Sequence, residues 1–224
     1  MRVYRFMSLA NGLDSIQERR LRIGRLVELN DPYDCAPGIA DAPNIPPGGE
    51  EAFEAGYFAQ FAEAFGLLSY SATVSDPVIW SHYADGHRGI ALGFDYIDPD
   101  DGLIPVEYGA ERRIFTYEEL ERIRNENATE ALRHIITSGF TKKASSWSYE
   151  QEYRQFITLN SCTPLREHYF RPIPSERLFS VILGARCPIR PVDVSRSLHS
   201  AGYPDPNIVS CATKHRGHYE MVVA

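Results

Sequence analysis

Cysteine is scarce: four residues in 224, at Cys35, Cys162, Cys187 and Cys211. None forms a CxxC pair and none has a nearby histidine at zinc-finger spacing, so free thiols in a reducing compartment are expected. The N-terminal MRVYRFMSLANG holds no apolar run of signal-peptide length. No window approaches the roughly 18 to 20 apolar residues of a membrane helix. A soluble, cytoplasmic chain with no membrane contact is expected. Positive charge is in deficit, 23 Lys and Arg against 30 Asp and Glu, giving a net −7 and a pI near 5.5. That argues against an extended electrostatic grip on nucleic acid, although a local basic patch can hide in an acidic total. HExxH, GxSxG, P-loop and GxGxxG patterns are all missing, and His82, Asp85 and His87 lack zincin spacing. No metal site, serine elbow or glycine phosphate cradle is therefore expected.

What is present is globular. Hydrophobic residues make up 43% of the chain, with 13 Tyr and 11 Phe. One domain over 1–224 is expected, with a Pro/Gly-rich loop at 35–49 and a helical insertion around 110–140. Strands are read at Arg2–Met7, Leu21–Gly24, Leu67–Thr73, Gly89–Phe94, Ile104–Tyr108, Glu152–Leu159, His168–Arg171, Leu178–Leu183, Ile208–Ala212 and His218–Val223. Helices are read at Leu9–Arg20 behind a Ser8 cap, Glu50–Phe65, Pro77–Ala84, Tyr117–Thr137 and Pro191–Ala201. Regular βαβ alternation is missing. The fold class is α+β, with mixed, mainly antiparallel sheets and flanking helices.

Two stretches concentrate chemistry. In Lys142–Arg154, KKASSWSYEQEYR, the alternation from Tyr149 onward puts Glu150, Glu152 and Arg154 on one face of a strand. That is either a solvated, salt-bridged outer face or catalytic carboxylates in an aromatic cleft. In Leu68–Asp95, Ser69, Ser71 and Thr73 share a face, Trp80, Ser81, His82 and Tyr83 follow on a short helix, and His87, Arg88 and Gly89 lead into an apolar strand. Trp80 and Tyr83 as core, with His82 and His87 bonded to backbone, is the plainer reading of this second stretch. Arg19, Arg20, Arg22 and Arg25 form a basic cluster, either a solvated helix end or a phosphate-steering patch.

Several phrases together resemble a widespread bacterial family of unknown function: Val3-Tyr4-Arg5, Asn30-Asp31-Pro32-Tyr33-Asp34, Ile79 to Ile90, Gly93-Phe94-Asp95, and Lys143 with Trp147 to Arg154. More distantly, the layout is similar to the ADP-ribosyltransferase superfamily. Arg5 matches that superfamily's first-strand Arg or His, Ser69-Tyr70-Ser71 its Ser-x-Ser strand, and Glu150-Gln151-Glu152 its Glu-x-Glu. Two features depart from its pattern: the Trp-Ser-His-Tyr helix after the serine strand, and the long interval before the glutamates.

The resemblance implies an ADP-ribosyltransferase-like fold and an enzyme that consumes NAD as substrate. It would transfer ADP-ribose to a nucleic acid or protein, or hydrolyse NAD, and a toxin or antiviral-defence role fits such chemistry. Glu152, Glu150 and Arg5 would be catalytic. Glu152 would stabilise the oxocarbenium-like charge, Glu150 would activate the acceptor and Arg5 would pair with the pyrophosphate. Tyr4, Asn30, Ser69, Ser71, Trp80, His82, Tyr83, His87, Lys143 and Arg154 would contact the dinucleotide. The alternative from another class is a non-catalytic module that binds a nucleotide or a partner.

Overall fold

The computed structural model describes residues 1–96, 102–205 and 208–224. Strand β1 (Arg2–Met7) leads into α1 (Leu9–Gln17), whose orphan Asn11 N–H is capped by the Ser8 hydroxyl. Arg19, at φ 52, turns the chain into β2 (Arg20–Arg25). Then come β3 (Gly38–Ala40), α2 (Glu50–Ala64) and β4 (Phe65–Ser71). Asp76 caps and Pro77 opens α3 (Pro77–Tyr83), followed by β5 (Ile90–Asp95), β6 (Ile104–Pro105), β7 (Glu107–Gly109) and β8 (Ile114–Thr116). Helices α4 (Tyr117–Arg124) and α5 (Ala128–Ile135) precede β9 (Lys142–Ala144), β10 (Glu152–Thr158), β11 (Thr163–Leu165), β12 (His168–Pro172) and β13 (Leu178–Leu183). Helix α6 (Pro191–Ser200) and strands β14 (Val209–Lys214) and β15 (Met221–Val223) complete the described elements.

The fold is α+β with a mixed, mostly antiparallel open sheet. Eleven strands join it, in the order β11-β12-β2-β4-β1-β5-β13-β14-β15, with β10 on the other side of β4 and β6 beyond β10. Among the described residues, β13–β14 is its one parallel pair. Two small parallel pairs, β3–β8 and β7–β9, lie outside it.

The structure differs from the sequence reading in several elements. The single helix expected over Tyr117–Thr137 is two, because Asn127 leaves helical φ/ψ and its side chain caps Glu130 N–H. The strand expected over Ile104–Tyr108 is also two, since β6 pairs with β10 and β7 with β9. The 35–49 loop contains β3, which ties it to the 110–140 segment through β8.

Three apolar clusters hold the layers. Ile90, Leu92 and Phe94 of β5 pack with Ile16, Val194 and Leu198 of α1 and α6 on one face of the sheet. Ala91, on the opposite parity, packs with Trp80 and Ala84 on the other face. A third cluster joins α2 and α4 through Phe58, Phe115, Leu120, Ile123 and Phe140. The layers meet closely at Gly89, where an added Cβ would lie 2.1 Å from the Met7 carbonyl oxygen.

One detail of the sheet positions the site. Strand β4 pairs with β2 at its start (Gly24↔Leu67, Arg25↔Gly66) and with β1 at its end (Tyr4↔Ser71). Between these contacts β1 and β2 diverge, and carbonyls facing the gap lose ladder partners. Arg5 fills the gap, donating to Ser69 O at 3.2 Å and Arg22 O at 2.9 Å.

Candidate functional site

A cavity of about 220 Å³ opens at this split. Its wall includes Tyr4, Arg5, Asn30, Asp34, Ser69, Ser71, Tyr83, Lys143, Glu150 and Glu152. Nine of these ten are candidate site residues of the sequence; Asp34 appears there only within a family phrase, with no site role.

Four of these wall residues, Asp34, Lys143, Glu150 and Glu152, belong with Arg154 to a buried ionic cluster. Lys143 Nζ lies 2.6 Å from Glu150 Oε2, 3.1 Å from Glu152 Oε2 and 3.3 Å from Asp34 Oδ2, with its side chain 5% exposed. Arg154 grips Glu152 in a fork, Nε to Oε1 and Nη2 to Oε2, both at 2.9 Å. Its Nη2 also reaches Asp34 Oδ1 at 2.7 Å, and its Nη1 donates to Phe140 O at 2.7 Å. Three carboxylates against two cations leave the cluster one negative charge in excess.

The two glutamates arrive by different routes. Glu152 and Arg154 share a face of β10, as the alternation requires. Glu150 is not on the strand: residues Ser145–Glu150 form a short 3₁₀ turn, and Gln151 takes a left-handed conformation (φ 45, ψ 51). That reversal brings both carboxylates onto one ammonium. The expected parity, with Tyr149 and Gln151 continuing the strand, is therefore corrected, because β10 begins at Glu152. Ser71 fixes the turn by donating to Glu150 O at 2.6 Å and accepting from Thr73 N–H at 3.1 Å, so its hydroxyl is engaged by backbone. The Tyr108 hydroxyl accepts from the Glu152 N–H at 2.8 Å.

Environment separates the two carboxyls. For Glu152, burial raises the pKa, but Arg154, Lys143 and the Ser69 hydroxyl outweigh it and hold it at about 2. For Glu150 burial dominates, and its pKa stands above the usual value despite Lys143 and the Tyr83 hydroxyl, which donates to Oε1. Lys143 is opposed by burial but raised overall by Glu152, Asp34 and Glu150. Burial raises the Cys35 thiol to about 12, which leaves it protonated and a poor nucleophile. Burial lowers Arg5, although Tyr70 and Tyr96 oppose the shift. Among the described residues Arg5 has no carboxylate in an ion pair.

Four residues expected to touch the dinucleotide lie elsewhere. Trp80 is fully buried in the α3 core, its Nε1 donating to Val74 O at 2.8 Å. Arg154 is fully buried behind the carboxylates rather than on the cavity wall. His82 is exposed, with Nδ1 3.0 Å from the Tyr149 hydroxyl. His87 sits in the loop after α3 at φ 69. Of the basic cluster, Arg20 and Arg22 pair with Asp14 and Glu28.

A second cavity, of about 520 Å³, shares Arg5, Phe6, Gly24, Leu29 and Tyr83 with the first and adds Ser8, Asn11, Arg22 and Arg25. The space therefore continues past Arg5 along β2. The four cysteines are free thiols. No helix among the described residues is long and apolar enough to cross a membrane.

A family model described as "Protein of unknown function (DUF2971)" matches residues 79–155. That range is about a third of the chain and contains Lys143, Glu150, Glu152 and Arg154. It supports a relation to an uncharacterised family, over a shorter span than the phrases from Val3 to Arg154 that carry the resemblance. No curated protein and no solved structure matches the chain.

Proposed function

We propose that this protein is an NAD-consuming enzyme of ADP-ribosyltransferase type. The observation that carries the reading is the polarity of the cavity. One wall bears the Arg5 guanidinium with no carboxylate partner among the described residues, and another bears Glu150 and Glu152 from a cluster with excess negative charge. NAD has matching polarity, an anionic diphosphate and a cationic pyridinium ring. Arg5, Ser69–Ser71 and Glu152 also come from three adjacent strands, β1, β4 and β10, in the pattern the superfamily resemblance implies. The first cavity is smaller than the roughly 300 to 1,000 Å³ usual for drug-sized ligands, so the nicotinamide riboside end suits it and the remainder would extend past Arg5 into the second cavity.

In the proposed reaction the bond between ribose C1′ and the nicotinamide nitrogen breaks, and nicotinamide leaves as a neutral base with the electron pair. Glu152, held ionised, stabilises the positive charge that develops on the ribose. Glu150, with its raised pKa, takes the proton of the attacking acceptor or water as the new bond to C1′ forms. Two carboxyls whose surroundings drive their pKa values apart suit such divided roles.

A second reading has its own support. Both Glu152 oxygens are engaged by Arg154 and Lys143, an arrangement that also suits a rigid binding site without turnover. Nicotinamide release from NAD, measured for wild type and Glu152→Gln, separates the two. The enzyme reading expects release by wild type and a loss of about 10²- to 10³-fold in a folded, NAD-binding variant. No release by wild type, even with cell lysate as acceptor, together with no NAD binding by calorimetry, overturns it.

A further inference from the structure

Helix α3 adjoins two surface features that the transfer chemistry leaves unused. One is a group of partly exposed rings. The His82, Trp147 and Tyr149 centroids lie 6.1 to 6.3 Å apart, and Tyr149 is fixed by its contact with His82. Lys143 Nζ lies 5.0 Å from the Trp147 ring centroid while holding Glu150. The rings therefore stand one side chain away from the carboxylate proposed to accept the proton.

The other feature is cationic. The loop after α3 carries His87 and Arg88, and the His87 carbonyl accepts from Arg186 N–H at 2.9 Å. Strands β13 and β14 run parallel with Leu183 opposite Cys211, so Arg186 and Lys214 both leave the same end of that pair; burial, then these two cations, hold the His87 imidazole below its usual pKa. Lys214 ends β14, and the exposed hairpin tip continues as His215, Arg216, Gly217, His218 and Tyr219, with Tyr219 99% exposed. Met221 N–H donates to Ser75 O, fastening the hairpin beside the Asp76 cap of α3. Arg88, Arg186, Lys214 and Arg216 are all exposed, and among the described residues none is in an ion pair, whereas Arg20, Arg22, Arg112, Arg113 and Arg190 all are. Asp85 and Glu220 are the acidic residues in the same stretches.

We propose that this face binds a single-stranded polynucleotide as the acceptor, with one base stacked on Trp147, Tyr149 and His82 beside Glu150 and the backbone phosphates on Arg88, Arg186, Lys214 and Arg216. Partly exposed aromatic rings together with unpaired cations are the combination single strands require, stacking for bases and charge for phosphates. His82, in the last turn of α3, belongs to the rings, and Arg88, five residues beyond its end, belongs to the cations, so the chain itself brings the two features together at this end of the helix. The net −7 of the chain makes such binding local and salt-sensitive. As an acceptor assignment the inference rests on the transferase reading; the binding itself does not.

The test is fluorescence anisotropy of labelled, short, mixed-sequence single-stranded DNA and RNA with the full chain, without NAD, across a salt series. Wild type should bind at least one of them, more weakly as salt rises. The double variant Lys214→Glu, Arg216→Glu should lose tenfold or more and flatten the salt slope. Trp147→Ala should lose roughly 5- to 100-fold with the slope unchanged, and Trp147→Phe should recover most of it. No binding of either strand at low salt, or wild-type affinity in both the double variant and Trp147→Ala, overturns the proposal. So does ADP-ribose found on lysate protein with no oligonucleotide bound, which would assign the acceptor to protein. Oligonucleotide binding with neither nicotinamide release nor NAD binding would support the surface and overturn the transferase reading instead.

Discussion

At the residue scale, one ammonium gives two glutamates opposite protonation behaviour. Glu152 receives Lys143 together with the Arg154 fork and stays ionised, whereas Glu150 receives Lys143 and the Tyr83 hydroxyl, too little to offset its burial. A proton acceptor must be ionised to act, so nicotinamide release should fall as pH drops through the raised pKa of Glu150. Glu150→Gln should lower the rate by about 10²- to 10⁴-fold and remove that acid limb. A pH–rate profile in which the variant is slow but keeps the limb would assign the titration to another group. Ser71→Ala tests a different role: its hydroxyl holds the Glu150 backbone, so the variant should weaken turnover by displacing Glu150 and leave NAD affinity nearly unchanged.

At the element scale, the decisive feature is a non-glycine residue in the left-handed region. Gln151 at φ 45 separates the 3₁₀ turn from β10 and aims Glu150 at Lys143. Its side chain is exposed, so a substitution there tests conformation rather than packing. Gln151→Val should cost about 1–3 kcal/mol in denaturant unfolding, because a β-branched residue resists this conformation, and should impair release along with stability. Gln151→Asn should be tolerated. An unchanged unfolding midpoint for the valine variant would sink the account. This element also marks how far the sequence could be read. Local alternation was enough to pair Glu152 with Arg154, because both lie on one strand. It placed Glu150 on the right side for a wrong reason, since the left-handed turn carries no period-two signal. Asp34 was quoted only as part of a family phrase and given no role at the site, because its partner, Arg154, is 120 residues away and only folding brings a Pro-containing turn against β10. The strands through β5 and β13 were legible from their apolar runs. The break between α4 and α5 had a signal in Asn127, a capping residue inside an otherwise helical pattern. Trp80 carried two readings, core and ligand contact, because α3 spans only seven residues, too few for its periodicity to show which side faces the core; its full burial agrees with the core reading.

At the scale of the whole molecule, the ionic cluster fastens distant parts of the chain. Asp34 comes from the turn after β2, Lys143 from β9, and Glu152 and Arg154 from β10, while Arg154 also holds the Phe140 carbonyl of the α2/α4 layer. Such a cluster ties stability to pH in a direction fixed by its pKa values. Glu152 ionises at about 2 in the folded chain and near 4.5 when unfolded, so its stabilisation is present above the unfolded value and lost as pH falls from about 4.5 to about 2. That difference amounts to about 3 kcal/mol. Glu150 acts in the opposite sense: its raised pKa favours the folded state below 4.5, and this contribution is lost as pH rises through the folded value. The steep acid loss should therefore belong to Glu152, and Glu152→Gln should flatten it. Arg154→Met should be the harsher change at neutral pH, costing about 3–5 kcal/mol, because it leaves Asp34 and Glu152 buried with only Lys143 between them. For a chain of this size that corresponds to a Tm roughly 10 °C lower. Arg154→Lys should recover only part of the loss, since an ammonium cannot span Glu152, Asp34 and the Phe140 carbonyl at once. A thermal scan in which Arg154→Met matches wild type at pH 7 would mean that the cluster does not bind these elements together.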